Sequence, residues 1–119
     1  MSSIIRGSDN FDSEGIIEGT ATAWVNFNGT GTVAIRDSYN VSSITDNGTG
    51  NYVANFNTTM ANSNYSVVGA GSLSDAVGAT AQCITPRSLT TSNVNVKTDY
   101  NNSVYLDFAN IFVSVFGGV

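Results

Sequence analysis

The sequence predicts an all-β fold, an antiparallel β-sandwich of about seven to eight short strands. Three observations carry this expectation. From Ala21 onward, short runs rich in Val, Ile, Thr, Tyr and Phe alternate with Asn, Gly, Ser and Asp at near-regular spacing. No segment sustains apolar residues at helical spacing, whereas several alternate with period two. The 119 residues hold one proline and 41% hydrophobic side chains, which suits a single domain with its own core.

Residues 1–20 place the pairs Ile4–Ile5 and Ile16–Ile17 among Ser, Gly, Asp and Glu and read as an N-terminal arm; residues 21–119 read as the sandwich domain. Strands are expected near 22–27, 32–36, 41–45, 51–57, 64–70, 79–85, 93–98 and 104–116. Val33 and Ile35 alternate in the second, Tyr52, Ala54 and Phe56 in the fourth, and Val104, Leu106 and Phe108 in the last. Pro86 is assigned to a loop, since it cannot donate to a ladder. The motif NGTG occurs at 28–31 and again at 47–50, each time between two β-rich runs. Asn-Gly in that setting signals a hairpin, because both residues tolerate positive φ.

Other readings of NGTG fail on chemistry. A phosphate loop needs a following helix and lysine. A calcium loop begun at Asp46 needs an acid where Asn57 stands. Glycosylation acceptors at Asn28, Asn40, Asn47, Asn57, Asn64 and Asn101 are what so Asn- and Thr-rich a chain produces by chance, and they need a secretory context.

Composition narrows the function. Charged residues are 11% of the chain and the net charge is −5, with Arg6, Arg36, Arg87 and Lys97 the only cations. That leaves no basic patch for nucleic acid. No apolar run is long enough to span a bilayer, and the start MSSIIRGSDNFDSEG lacks the apolar stretch of a secretory signal, so membrane insertion is not expected. The single Cys83 excludes an intramolecular disulfide and is expected as a small buried apolar side chain. The chain has no histidine, the commonest general base and metal ligand. Glu14 with Glu18, or Asp46 with Asp99, would be the carboxylate pairs for glycoside cleavage, and Lys97 the lysine of a Ser-Lys pair. No motif points to any of them, and solvated turn and strand-edge acids are the plainer account. No enzyme, cofactor or metal is expected. The remaining route to a cation is calcium on loop oxygens from Asp46, Asp75 or Asp99.

Residues 24–69, WVNFNGTGTVAIRDSYNVSSITDNGTGNYVANFNTTMANSNYSVVG, resemble a module that recurs near the C-terminal ends of bacteriophage tail fibre proteins. The ending VYLDFANIFVSVFG, residues 104–117, resembles that module's final strand. The family commonly carries a proline before Asn-Tyr, where this chain reads Met60-Ala61-Asn62-Ser63. The resemblance implies a β-structured fibre or spike tip, usually a homotrimer, displayed on the virion outside the host cell. Its partners would be a host-surface glycan or protein, and other tail or virion proteins through the arm. It carries over no catalytic residues and does not say which side chains touch a receptor.

The residues themselves suggest where contacts lie. The final strand, Ile111 to Phe116, is apolar on both faces for most of its length, which suits a subunit interface or a sandwich centre. Trp24, Ile111, Phe112 and Phe116 are the interface candidates; Trp24 also reads as a sugar platform or a core residue. Strict antiparallel alternation collects the loops 28–31, 46–50, 71–78 and 99–103 at one end and 37–40, 58–63 and 86–92 at the other. The first set is rich in amides, hydroxyls and acids, with one tyrosine, a mixture suited to hydroxylated ligands. Its candidate receptor contacts are Asn47, Thr49, Ser74, Asp75, Tyr100 and Asn102. The arm enters from the opposite end, which in a fibre makes this set distal. The competing function is a decoration or fibre-shaft module with no receptor of its own.

Overall fold

A computed structural model describes residues 19–74, 82–100 and 104–119, apart from the side chains of Gln82 and Tyr100. The arm before Gly19, the predicted strand residues 79–81, and Glu14, Glu18, Asp75, Asn101 and Asn102 lie outside them. The strands are β1 (Ala21–Asn28), β2 (Ala34–Tyr39), β3 (Val41–Asp46), β4 (Asn51–Phe56), β5 (Tyr65–Ser72), β6 (Gln82–Leu89), β7 (Asn93–Tyr100), β8 (Val104–Tyr105) and β9 (Asn110–Gly117). They form two sheets, a four-stranded one in the order β2-β1-β9-β5 and a five-stranded one in the order β3-β4-β7-β6, with β8 also on β7. Every pairing is antiparallel.

Alternation decides what each strand buries. In β1, Ala23, Val25 and Phe27 point between the sheets, and in β9 so do Ile111, Val113 and Val115. Tyr52, Ala54 and Phe56 of β4 and Val94 and Val96 of β7 face them from the other sheet. Each end of this core is closed by an edge-to-face aromatic pair that crosses the sandwich. Phe27 meets Tyr52 at 5.4 Å between ring centroids, and Phe56 meets Tyr65 at 5.7 Å. Both tyrosines are buried with their hydroxyls bonded, as an aromatic ring with a polar tip requires. Tyr65 donates to the carbonyls of Thr90 (2.7 Å) and Asn93 (3.0 Å), tying β5 to the β6–β7 turn in the opposite sheet.

Three local expectations are corrected. The last predicted strand is two. After β8 the chain leaves the five-stranded sheet, crosses between the layers with Phe108 fully buried, and enters β9 in the other sheet. The crossing is held by Leu106 N–H on Thr98 O, Gly29 N–H on Phe108 O and Ala109 N–H on Leu73 O. Pro86 sits within β6, opposite Val96. It is tolerated because β6 is an edge strand whose register shifts between Pro86 and Leu89, so no interior ladder bond is lost. Cys83 is exposed rather than buried, because β6 turns it away from Ile84, which packs on the core.

The connections out of β1, β3, β5 and β7 leave from one end, called here the NGTG end. The opposite, arm end holds the β2–β3, β4–β5 and β6–β7 connections, the start of β1 and the finish of β9. Among the described residues, the two loop sets expected from alternation are the two ends of the sandwich, although 37–39 belong to β2, 46 to β3, 71–72 to β5, 86–89 to β6 and 99–100 to β7 rather than to loops; 75–78 and 101–103 lie outside the described residues.

Candidate functional site

Both NGTG copies join adjacent antiparallel strands, but not for the same local reason. In the first, Asn28 closes on Thr30. Thr30 N–H and Oγ1–H both donate to Asn28 Oδ1 (3.0 and 2.6 Å), and Asn28 Nδ2 donates to Thr30 O. Gly29 is required by closeness, since a Cβ there would lie 2.5 Å from the Tyr52 hydroxyl. In the second copy, Gly48 N–H donates to Asp46 Oδ1 (3.0 Å), and Gly50 combines a φ of 64° with a Cβ position 2.5 Å from Thr98 O. The positive angles therefore fall on Gly31, Gly48 and Gly50, not on either Asn-Gly asparagine. The one non-glycine with positive φ among the described residues is Asn40, at 57°.

Beneath these turns lies a network the sequence did not reveal. Asp107 Oδ1 accepts from Gly50 N–H (2.9 Å) and from the Tyr52 hydroxyl (2.6 Å), which also lies 2.8 Å from Gly29 O. One carboxylate in the interlayer crossing thereby ties both NGTG turns to the core. Burial first, and then the Asp107 carboxylate, push the Tyr52 phenol far above its ordinary range. An acid inside the apolar run VYLDFANIF was the available signal for this crossing.

Of the candidate contacts at this end, Asn47 and Thr49 are exposed on the second turn. Ser74 is exposed at the end of the described part of the β5–β6 connection. Asp75, Asn102 and the Tyr100 side chain lie outside the described residues, although the Tyr100 backbone ends β7 at this same end. Of the candidate acids, Asp46 is committed to Gly48, while Asp99 keeps one buried carboxylate oxygen without a partner among the described residues. No group of three or more His, Cys, Asp or Glu able to hold a metal is found among the described residues.

The two outer faces of the sandwich differ sharply in chemistry. On the five-stranded sheet, Asn55 Nδ2 donates to Ser43 Oγ (3.1 Å) and Thr45 Oγ1 (2.9 Å), and Asn95 Nδ2 donates to Asn51 Oδ1 (2.8 Å) and Tyr52 O (2.7 Å). Lys97 Nζ stands 5.2 Å above the Tyr105 ring. On the four-stranded sheet, register lines up Tyr39, Trp24, Ser114 and Val68 in one row and Asp37, Asn26, Phe112 and Ala70 in the next. Phe116 follows opposite Ser66. Trp24 is 36% exposed, Phe112 43%, and Tyr39 and Val68 57% each. With aromatic side chains of about 150–250 Å², these exposures amount to roughly 300–400 Å² of apolar area, the size of the largest patch on an ordinary monomer and often a functional one. Three of the interface candidates, Trp24, Phe112 and Phe116, belong to this outward face. Ile111 does not: it is fully buried between the sheets, one pleat away from Phe112.

At the arm end, a concavity of about 850 Å³ opens between the start of β1, the β2–β3 corner, the β4–β5 loop and the end of the chain. Asn40 forms its floor. Its amide donates to Thr22 O and Thr58 O, and its Oδ1 accepts from Thr58 N–H at 2.7 Å. The αL angle of Asn40 makes a one-residue corner between the sheets, a role that asparagine fills more readily than other side-chain-bearing residues. No match to a protein-family model, a curated protein or a solved structure was found for this chain.

Proposed function

We propose that this chain is a non-enzymatic receptor-binding module of the phage tail-fibre tip type, which attaches a virion to a host-surface component, preferably a glycan. The observation that carries the reading is the contrast between its outer faces. One carries the exposed hydrophobics Tyr39, Trp24, Phe112 and Val68, with the charges Asp37 and Arg36 on its β2 edge strand, and the other is a ladder of amides and hydroxyls. The resemblance of residues 24–69 and 104–117 to fibre-tip modules supports it independently.

The occupant of the apolar face is a second and third copy of the chain, giving a homotrimer. Of the described cations, Arg87 and Lys97 lie on the other sheet and Arg36 sits at the β2 edge. Copies of a chain with net charge −5 meet with least repulsion across a face whose centre is Trp24, Phe112 and Val68. The exposed loops at the NGTG end then contact the receptor, and the arm connects to other tail or virion proteins.

The internal commitment of Asn28, Thr30, Asn55 and Asn95 favours a second reading, a decoration or shaft module with no receptor. Protein labelled at the exposed Cys83 and titrated onto a panel of bacterial cells and immobilised surface glycans separates the two. Attachment predicts saturable binding that survives a chelator and releases no reducing ends. Binding to nothing in the panel supports the structural reading, and loss on chelation points to calcium held by Asp46, Asp75 or Asp99.

A further inference from the structure

We propose that the concavity at the arm end is a binding site for a neutral saccharide, separate from the loops at the NGTG end and independent of the attachment reading. Its volume, about 850 Å³, falls within the range of small-ligand sites. Among the described residues, no Asp, Glu, Lys or Arg side chain lines it. Among the described residues, an anionic ligand would find no cationic side chain there and a cationic one no carboxylate side chain.

The lining divides into a rigid floor and a free rim. Asn40, Thr22 and Ser38 are spent on internal bonds: the Asn40 amide on Thr22 O of β1 and Thr58 O of the β4–β5 loop, Thr22 Oγ1–H on Val115 O and Gly117 O, and Ser38 Oγ–H on Val41 O. Around them, the Tyr39 hydroxyl, the Asn57 amide and the Thr58 and Thr59 hydroxyls make no hydrogen bond among the described residues, and all four side chains are exposed. Groups that both donate and accept, spaced around a fixed floor, match the vicinal hydroxyls of a sugar. The Tyr39 ring, on the edge strand β2 and away from the Trp24, Phe112 and Val68 centre of the proposed self-contact, adds a flat apolar surface for a sugar's C–H face, and Met60 and Ala61 supply apolar wall.

The test is a residue-resolved NMR titration of the full chain with maltotriose and tri-N-acetylchitotriose, using a sialylated trisaccharide as the anionic comparator. The expected result is saturable shifts in the backbone amides of residues 20–22, 38–40 and 57–61 with at least one neutral probe, and weaker or no shifts with the sialylated one. Tyr39→Ala should weaken binding about tenfold, the scale of one lost aromatic contact. Thr58→Ala with Thr59→Ala, both on exposed side chains, provides a second variant and should weaken it as well. Absence of shifts with both neutral probes, preference for the anionic one, or shifts confined to residues 29–31 and 47–50 would overturn the proposal.

Discussion

Tyr52 concentrates more of the structure's logic than any other described side chain. Its ring packs edge-on against Phe27, and its hydroxyl proton is shared between Asp107 and Gly29 O. Tyr52→Phe keeps the ring, removes the hydroxyl from the buried Gly29 carbonyl and leaves Asp107 with Gly50 N–H alone, so we expect a loss of about 1–3 kcal/mol in urea unfolding. The same residue sets an alkaline limit. In the unfolded chain a tyrosine ionises near pH 10. The folded Tyr52 and Tyr65 hold their protons to higher pH, chiefly because burial disfavours the phenolate. Above about pH 10 the unfolded state therefore binds fewer protons, and stability falls as pH rises; below that it is unaffected by these groups. Unfolding midpoints measured from about pH 8 to 11.5 should decline at the top of that range, and less steeply in Tyr52→Phe. Gly50 makes the companion case. Gly50→Ala meets both a positive φ and the Thr98 carbonyl, and should cost about 2–4 kcal/mol, whereas exposed Thr49→Ala next to it should stay within about 0.5 kcal/mol. Equal melting temperatures for these two variants would show that the turn is not held as described.

At the scale of elements, the outward and inward pleats of β9 separate two roles that the sequence merged. Phe112→Asp puts a charge on the exposed face of the four-stranded sheet and, on the proposed trimer, should lower the mass seen in light scattering while leaving the β spectrum intact. Ile111→Asp, one residue earlier, buries an unpaired charge between the sheets and should unfold the chain, at a cost above about 3 kcal/mol. Unchanged mass in Phe112→Asp would remove the face from the assembly. Much of this level was legible beforehand. The strands expected near 22–27, 51–57 and 93–98 match β1, β4 and β7 closely, and Tyr52, Ala54 and Phe56 show why: a strand half in a core must alternate. The crossing at 106–109 was not legible, since Val104, Leu106 and Phe108 continue the alternation while the chain changes sheets. What stops the strand is tertiary: Asp107 accepts from Gly50 and Tyr52, residues more than fifty positions away along the chain. Pro86 misled in the opposite direction, because a proline's compatibility with a strand depends on whether that strand is an edge. The outward hydrophobics Tyr39 and Val68 were missed for a similar reason. Their neighbours Trp24 and Ser114 are set by pairing register, which no local pattern records.

At the scale of the molecule, the sandwich has two unlike ends, and the account assigns them different work. The exposed NGTG-end loops are expected to meet the receptor, while the concavity around Asn40 lies where the arm joins. The division of loops between ends followed from alternation alone, but the concavity did not. It depends on the αL corner at Asn40 and on the packing of Met60 and the chain's last residues, contacts distant in sequence. The measurement that tests the central claim most directly compares cell attachment by alanine variants of the two ends, with melting temperature measured in parallel. One set is Asn47, Thr49, Ser74, Asp75, Tyr100 and Asn102. The other is Asn62, Ser63 and Thr91, of which Ser63 and Thr91 are the cleaner controls because Asn62 bonds to Asn64 N–H and Val119 O. The account predicts that the first set weakens attachment by about thirtyfold or more, the scale of a lost hot spot of about 2 kcal/mol, with little change in melting temperature. It predicts that Ser63→Ala and Thr91→Ala bind as the unaltered chain does. Attachment abolished by the second set and untouched by the first would contradict it.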